Sequence, residues 1–375
     1  MLGFIQNLFG LQRVLAPPAH PIGVDFGTDS LRLAQVQEDG SDFKLCAAAS
    51  VEVPPEVRAD ADLRLKFFAL STAHLLAQAP FRGRQAVLGL PASVVHIQQL
   101  SLRPMDDTEL KDTVFREARR QFPFDPSHAL VRHSVAGKYQ QYKSILQDPT
   151  LQRVIVMAAD TRWVKRYIAA AQAARLNIVA MNFQPMALLD CFAHIYRRTH
   201  EAESTHFYVD VGSSGTRAMV ARGTHLLFAR NIAIGGDHLT RSVAESLGIG
   251  FHDARTLRIK LGAGPATQAD RVEAAIYHTM EQLIRELDAC RKDHESTFPE
   301  FPIKQLVFVG GEARQGNLCQ HIAKQLDLPC QTGDSLCRMA GNSKIGIESA
   351  IDRRHSQPAW AAAIGLSIGP ATDEE

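Results

Sequence analysis

The sequence predicts an α/β fold in which two similar half-domains face each other across a cleft. One unit occurs twice, at residues 22–34 and again at 207–221. In each copy an apolar strand carries an aspartate near its end, a short polar turn follows, and a second strand runs back beside the first. The rest of the chain alternates between short apolar strands and amphipathic helices. A repeat of this size indicates duplicated half-domains and excludes a solenoid of short period.

Composition is consistent with an ordinary globular protein. The chain has 375 residues, enough for two or more domains with sizeable cores, and it is 45% hydrophobic and 22% charged. Its net charge of +1 gives no indication of nucleic-acid binding. Its six cysteines show no C-x-x-C or zinc spacing, which predicts core residues of a reducing compartment. No apolar run reaches the length of a membrane span.

Both repeated turns have the composition of a phosphate-binding loop. Glycine lets the backbone approach a ligand, and successive N–H groups in such a turn form a concavity for phosphate oxygens. Each strand ends in a carboxylate that can hold Mg²⁺ through water. The predicted nucleotide contacts are Asp25, Gly27, Thr28, Ser30, Asp210, Gly212, Ser213, Ser214, Gly215, Thr216, Gly235 and Gly236, with Asp25 and Asp210 holding the metal.

The segment before the first repeat has two interpretations. Residues 1–15 are mostly apolar at near-helical spacing, with one arginine and no acid. They are too short to span a membrane and lack the features of a secretory signal. They are either a terminal helix packed on the body or an amphipathic segment that rests on a membrane or a partner. Residues 16–21 form a stiff proline-rich linker.

Between the repeats, the patterns predict alternating helices and strands. Apolar spacing and capping residues predict helices at 62–78, from 105 to about 121, at 160–175 and from Gln184 onward. The predicted strands are 45–53, 84–90, 93–102, 129–139, 153–158 and 178–182. After the second repeat, Asp237 is the predicted cap of a helix at 238–247. Helices at 253–261 and 267–294 and a strand at 306–309 follow.

These features resemble the actin-like ATPase superfamily and, within it, the PilM family of type IV pilus assembly proteins, which is related to the cell-division protein FtsA. Besides the repeated turns, the resemblance rests on the Gln-Phe-Pro-Phe ending of the helix at 121–124 and on the Gly-Gly-Asp-His-Leu-Thr run at 235–240. It covers about residues 20–368. It implies an actin-like (ribonuclease H-like) duplicated fold with these parts: an apolar segment and linker (1–20), the first half (21–91 and 160–204), a 1C-type subdomain inserted in it (92–159), the second half (205–356), and a connector helix with a polar tail (357–375).

The resemblance also implies further site residues. Gln184 stands in the first inter-domain connector, where relatives orient the attacking water. A neutral amide cannot accept the proton, so at most slow ATP hydrolysis is expected. The alternative is that Gln184 is a solvent-exposed residue at a helix start. Arg258 and Lys260 correspond to residues near the purine, and the strand end Gly310-Gly311-Glu312 is similar to an adenosine-binding motif.

The implied function is that of an adaptor. A PilM-like protein would bind ATP and Mg²⁺ as structural ligands and dock the cytoplasmic N-terminal tail of a PilN-like inner-membrane protein in a groove of the 1C subdomain. It would lie in the cytoplasm against the inner membrane, held there by the partner or by residues 1–15. Further copies of the chain are a candidate partner, and nucleic acid is not one.

Three alternatives stay open at this point. One is an FtsA-like membrane-associated filament protein. Another is a small-molecule kinase of the same superfamily, although no residue suggests itself as the catalytic base on the substrate side. The third is a vestigial cleft that no longer binds nucleotide. Asp29, Glu312 and Arg314 depart from the pattern of the family, and the charge of Asp29 would disfavour nearby phosphates.

Overall fold

The computed structural model of the chain describes residues 18–136, 151–198, 201, 203–260, 266–341, 351 and 354–369. The predicted apolar segment 1–15, the end of the strand predicted at 129–139 and the polar tail from residue 370 lie outside these ranges. Among the helices so described, none has both the length and the apolar character needed to cross a membrane.

The first half is built on a sheet that begins with the first repeated unit. Its elements, with the insertion between them, are β1 (Ile22–Phe26), β2 (Ser30–Asp39), β3 (Asp42–Glu52), α1 (Pro55–Arg58), α2 (Ala61–Gln78), β4 (Gln85–Leu90), β5 (His96–Leu102), α3 (Asp107–Gln121), β6 (Ala129–Ala136), β7 (Gln152–Asp160), α4 (Thr161–Ala173), β8 (Asn177–Phe183) and α5 (Gln184–Ile195). Helices α2 and α4 pack on one face of the sheet, where Phe26 stacks on Phe68 with ring centroids 4.2 Å apart.

The insertion is a small three-stranded antiparallel sheet in the order β5–β7–β6. Alternate residues of β7 face opposite ways, as the pleat requires: Val154 and Val156 pack under α3, whereas Ile155 packs against the main body. Helix α3 begins as its sequence predicts, because the Asp106 carboxylate accepts hydrogen bonds from the N–H groups of the first turn.

The second half repeats the architecture of the first. Its elements are β9 (Thr205–Val211), β10 (Thr216–Arg222), β11 (His225–Ile232), α6 (Gly236–Leu247), α7 (Phe251–Ile259), α8 (Ala266–Thr297), β12 (Gln305–Val309), α9 (Gly316–Gln325), β13 (Cys330–Thr332), β14 (Met339–Gly341) and α10 (Ala361–Ile368). The prediction that Asp237 caps α6 is wrong. The cap is Gly235, and Asp237 lies in the first turn of the helix.

The sheet topologies establish the duplication. In the first half, β1, β2 and β3 form an antiparallel meander, and β4 and β8 add in parallel beside β1. In the second half, β9, β10 and β11 form the same meander, and β12 and β13 add in parallel beside β9. The repeated aspartate turns are therefore equivalent positions of two equivalent sheets.

The chain returns to the first half earlier than the predicted boundary at residue 357. Strand β14 pairs in parallel with β3, the edge strand of the first sheet. An edge strand presents unpaired backbone N–H and C=O groups, and β14 pairs with three residues of that edge. Helix α10 then packs across β1 and against α5. Small residues make this crossing close, because a Cβ on Gly365 would lie 1.7 Å from the carbonyl oxygen of Ala187.

Candidate functional site

The candidate site lies where the two repeated turns face each other. Asp25 stands near the end of β1 and Asp210 near the end of β9, and they are buried, with 5% and 3% of their surface exposed. In each hairpin, the strand register places an arginine directly across from the aspartate: Arg32 is opposite Asp25, and Arg217 is opposite Asp210. Each half therefore contributes one cross-strand pair of an aspartate and an arginine to the cleft, and the first half adds Asp29.

Hydrogen bonds cross the cleft from one aspartate to the other. Arg217 Nε donates to Oδ2 of Asp210 at 2.7 Å, and Arg217 Nη1 donates to Oε1 of Gln184 at 2.7 Å. Gln184 Nε2 in turn donates to Oδ1 of Asp25 at 2.7 Å. The bond between Arg217 and Asp210 joins two opposite charges and so belongs to the stronger class of hydrogen bond. One amide thus links a carboxylate of the first half to an ion pair of the second.

Gln184 does not lie on the surface. It is the first residue of α5 and is 3% exposed, so its interpretation as a solvent-exposed helix start is wrong. Both its amide nitrogen and its amide oxygen have protein partners. Its water-positioning role stays a prediction.

The charge of Asp25 depends on its neighbours. Burial raises the pKa of Asp25 above its ordinary value. The guanidinium groups of Arg32 and Arg217 and the hydrogen bond from Gln184 lower that pKa, whereas Asp210 raises it. Burial therefore favours the neutral form of the Asp25 carboxyl group, whereas the two arginines favour its ionised form.

The cleft is closed. The hydroxyl groups of Thr28 and Ser214, one from each turn, share a hydrogen bond of 2.8 Å. Asp29 faces Arg255 of α7 at 3.8 Å and accepts a hydrogen bond from Ser30, so part of its negative charge is balanced by protein groups. The space enclosed between the turns is about 60 Å³, against ~300–1,000 Å³ for pockets that hold small organic ligands. A nucleotide can enter only if the two halves separate.

Several glycines of the site are needed because other protein atoms lie where their side chains would be. A Cβ on Gly235 would lie 2.5 Å from the carbonyl oxygen of Gly212, and one on Gly310 would lie 2.3 Å from Oδ1 of Asp210. Gly311 differs, because the nearest atom to its Cβ position is Oδ2 of Asp29 at 3.7 Å. Gly311 therefore lines the cleft at a point where an added Cβ meets no closer atom.

The groups that line the cleft include donors for phosphate, whereas the two carboxylates predicted to hold the metal are already bound by protein groups. Ser213 Oγ is buried without a hydrogen-bond partner, and so is Oδ1 of Asp210. However, Oδ2 of Asp210 is bound to Arg217, and Asp25 is bound to Gln184. Among the described residues, no group of three or more histidine, cysteine, aspartate or glutamate side chains could hold a metal ion. A Mg²⁺ ion in this cleft would therefore be held by one or two carboxylates together with water and phosphate oxygens, and both aspartates already have protein partners.

The predicted purine residues lie outside the cleft lining. The Arg258 guanidinium is buried and binds both carboxylate oxygens of Glu312, at 2.7 and 3.1 Å, and its Nε donates to Oγ1 of Thr240 at 3.0 Å. Arg258 also borders a second cavity, of about 900 Å³, between α7, α8 and α9. Lys260 is exposed just beyond α7. Contact of either residue with a purine stays a prediction.

The structure brings together eleven of the predicted site residues at the cleft: Asp25, Gly27, Thr28, Gln184, Asp210, Gly212, Ser213, Ser214, Gly215, Gly310 and Gly311. The remaining seven lie outside its lining: Ser30, Thr216, Gly235, Gly236, Arg258, Lys260 and Glu312. Thr216, for example, donates its hydroxyl hydrogen to the carbonyl oxygen of Ile234 at 2.7 Å.

Sequence reasoning missed the two arginines of the cleft. Arg32 and Arg217 both follow their aspartate by the same interval, so each repeat has the form Asp-x-Gly-x-x-x-x-Arg. In a hairpin with this turn length, the two residues become cross-strand partners. The repeated spacing was therefore the signal that would have identified them.

Comparison with known proteins supports both the fold and the family. The family described as type IV pilus assembly protein PilM matches residues 23–369. The solved structure of a PilM–PilN type IV pilus biogenesis complex is similar at a TM-score of 0.76, with 21% identity over 93% of this chain and 98% of that chain. The ethanolamine utilization protein EutJ from Carboxydothermus hydrogenoformans is similar at a TM-score of 0.54, with 14% identity over 94% of this chain and 90% of that chain. The predicted actin-like duplicated fold is confirmed.

Proposed function

This chain belongs to the PilM family of type IV pilus assembly proteins, and from that premise we propose that it is a cytoplasmic adaptor. In this proposal, it binds a nucleotide in the cleft between its halves, and it docks an extended N-terminal tail of a PilN-like inner-membrane protein on its inserted sheet. Membrane association would then follow from the partner, with residues 1–15 as a second candidate anchor.

The observation that carries the docking proposal is the form of the inserted sheet. Its outer strands, β5 and β6, each pair only with β7 within the described residues, so each has one free edge. Both faces of the sheet are already covered, one by α3 and the other by the main body. An extended peptide can pair with such an edge through its backbone and place alternate side chains in flanking pockets. The solved structure that is similar in fold is a complex of PilM with PilN.

We expect a peptide with the N-terminal cytoplasmic sequence of a PilN-like protein from the same organism to bind at a one-to-one ratio. Calorimetric titration of the whole protein measures the ratio and the affinity. Hydrogen exchange of the complex should show new protection in His96–Leu102 or in Ala129–Ala136, because strand pairing removes backbone N–H groups from water.

The control uses the same peptide with alternate backbone nitrogens methylated. Methylation removes the N–H donors and leaves the side chains unchanged, so binding by strand addition should be lost. Undiminished binding of the methylated peptide, or protection confined to the second half, would show that the inserted sheet is not the docking surface.

The nucleotide proposal rests on the polar groups of the cleft. The turns around Gly212 and Gly27 face each other with bare backbone, and the Ser213 hydroxyl is buried without a partner. Positive charge is present as well, because Arg32 and Arg217 both line the cleft. Entry of the nucleotide would break the bond between Thr28 and Ser214, so binding would favour the conformation in which the halves are apart.

We expect ATP to raise the unfolding temperature of this protein, and we expect Gly311→Val to remove that rise. At 100 times the dissociation constant, a ligand stabilises the folded state by about 2.7 kcal/mol. Gly311 has φ −65° and ψ −37°, which any residue can adopt, so a valine there would fill the cleft without straining the backbone. Thermal unfolding followed by fluorescence, with and without ATP, measures the shift.

Gly250→Val is the matched control. Gly250 also has a φ that any residue adopts, −64°, its Cβ position is 3.8 Å from the nearest atom, and it is not among the residues that line the cleft. This variant should respond to ATP as the unmodified protein does. If ATP causes no shift in the unmodified protein, the cleft is vestigial and the nucleotide part of the proposal is wrong.

A further inference from the structure

A guanidinium stands beside the carboxylate that was predicted to hold the metal. Arg217 approaches Oδ2 of Asp210 with two nitrogens, Nε at 2.7 Å and Nη2 at 2.5 Å. The side chain of Arg217 is 15% exposed and that of Asp210 4% exposed, so water screens this pair little. Because arginine keeps its charge at every pH at which proteins are folded, the positive charge at this point is permanent.

A dication would have to displace this group or accept its repulsion. Mg²⁺ requires oxygen ligands close to an octahedral arrangement, and it dehydrates reluctantly. The free oxygen of Asp210, Oδ1, belongs to the same carboxylate as the one that Arg217 binds. A metal ion there would lie next to the guanidinium, where two positive charges repel each other strongly in a partly dry site.

The first half repeats the arrangement. Arg32 is the cross-strand partner of Asp25, and it lines the same cavity. It lowers the pKa of Asp25, but it makes no hydrogen bond or ion pair with another residue that the structure describes. Arg32 is thus a cation in the cleft whose donors bind none of the described residues, whereas Arg217 is a cation fixed in position by Asp210 and Gln184.

We propose that the cleft binds the phosphate groups of a nucleotide without a divalent metal, and that Arg32 and Arg217 supply the positive charge. This proposal rests on the proposed nucleotide function. A guanidinium presents a planar set of donors that matches phosphate oxygens two at a time, so it provides both the charge and the geometry. Gln184 holds Arg217 in the orientation that faces the cleft, which makes Gln184 a positioning residue in this arrangement.

The test is a calorimetric titration of the whole protein with ATP, once with excess Mg²⁺ and once with excess EDTA. We expect the two dissociation constants to agree within about threefold, because the fixed charge does not depend on the metal. The Arg217→Gln variant should bind ATP in EDTA on the order of tenfold more weakly or worse, since a hydrogen bond between charged groups has been lost.

Two further variants separate charge from structure. Arg217→Lys keeps the positive charge, so it should bind in EDTA more tightly than Arg217→Gln. Arg222→Gln changes an arginine of the same strand that lies over the ring of Phe301, outside the cleft, and it should bind ATP as the unmodified protein does.

The outcomes are distinct. Metal-free binding is supported if the unmodified protein binds ATP with equal affinity in Mg²⁺ and in EDTA, and if the Arg217→Gln variant loses that affinity in EDTA. An unmodified protein that binds only with Mg²⁺ overturns this inference and leaves the nucleotide function standing. Arg217→Gln that binds normally in EDTA overturns the role of Arg217. ATP that binds under neither condition overturns the nucleotide function and this inference together.

Discussion

Glu312→Ala is expected to destabilise the folded protein by roughly 3–5 kcal/mol, because it leaves the Arg258 guanidinium buried without its counter-ion. The side chains of Arg258 and Glu312 are 2% and 7% exposed, and two nitrogens of the arginine bind both oxygens of the carboxylate. The groups that still bind the guanidinium in the variant, Thr240 and Gln315, carry no charge. Chemical denaturation followed by tryptophan fluorescence measures the loss.

Glu117→Ala is the matched control for this experiment. Glu117 pairs with Arg120 at 3.2 Å on the surface of α3, where the arginine is 71% exposed. Exposed ion pairs contribute about 0–1 kcal/mol, so this variant should unfold close to the unmodified protein. Equal losses for the two alanine variants would show that burial of the pair does not decide its contribution.

A double variant separates the cost of an unpaired charge from the value of the pair. Arg258→Met with Glu312→Leu removes both charges and keeps most of the volume. Replacement of a buried pair by apolar residues is often neutral. We therefore expect the double variant to be more stable than Glu312→Ala alone, although Thr240 loses the donor that now binds its hydroxyl oxygen.

Gly365→Ala is expected to force the two connector helices apart and to cost about 1–3 kcal/mol or more, the range for overpacking a core. The added Cβ would lie 1.7 Å from the carbonyl oxygen of Ala187, a backbone atom that cannot rotate away. Every described residue of α10 from Ala361 to Ser367 is buried, so the helix has no free space into which it can shift. Thermal unfolding in the absence of ligand measures the effect.

Gly316→Ala is the control for the added methyl group. Gly316 is the first residue of α9, and no atom lies within 4 Å of its Cβ position. Alanine favours helix over glycine, so this variant should be as stable as the unmodified protein or slightly more so. A Gly365→Ala protein that unfolds at the same temperature as Gly316→Ala would contradict the close crossing of α5 and α10.

Local patterns predicted most of the elements because they depend on neighbours in the sequence. The helix that begins after Asp106 and the strand at β7 follow from capping and alternation within a few residues. The cap of α6 was misassigned because Gly235 and Asp237 both suit a helix start, and only the packing of Gly235 against Gly212 decides between them. The pairing of β14 with β3 had no local signal, since the three residues of β14 pair with a strand that is about 300 residues earlier in the sequence.

The duplicated α/β fold, the two aspartate turns and the family could be predicted from the sequence, because they depend on order and spacing along the chain. The contacts of those groups could not, because they form between residues that only folding brings together. In the folded chain, Arg217 binds Asp210 and Gln184, Arg258 binds Glu312, and the space between the two turns is about 60 Å³. Groups that are far apart in sequence set the charge balance of a buried site, and burial makes each of those pairings strong enough to decide what the site can bind.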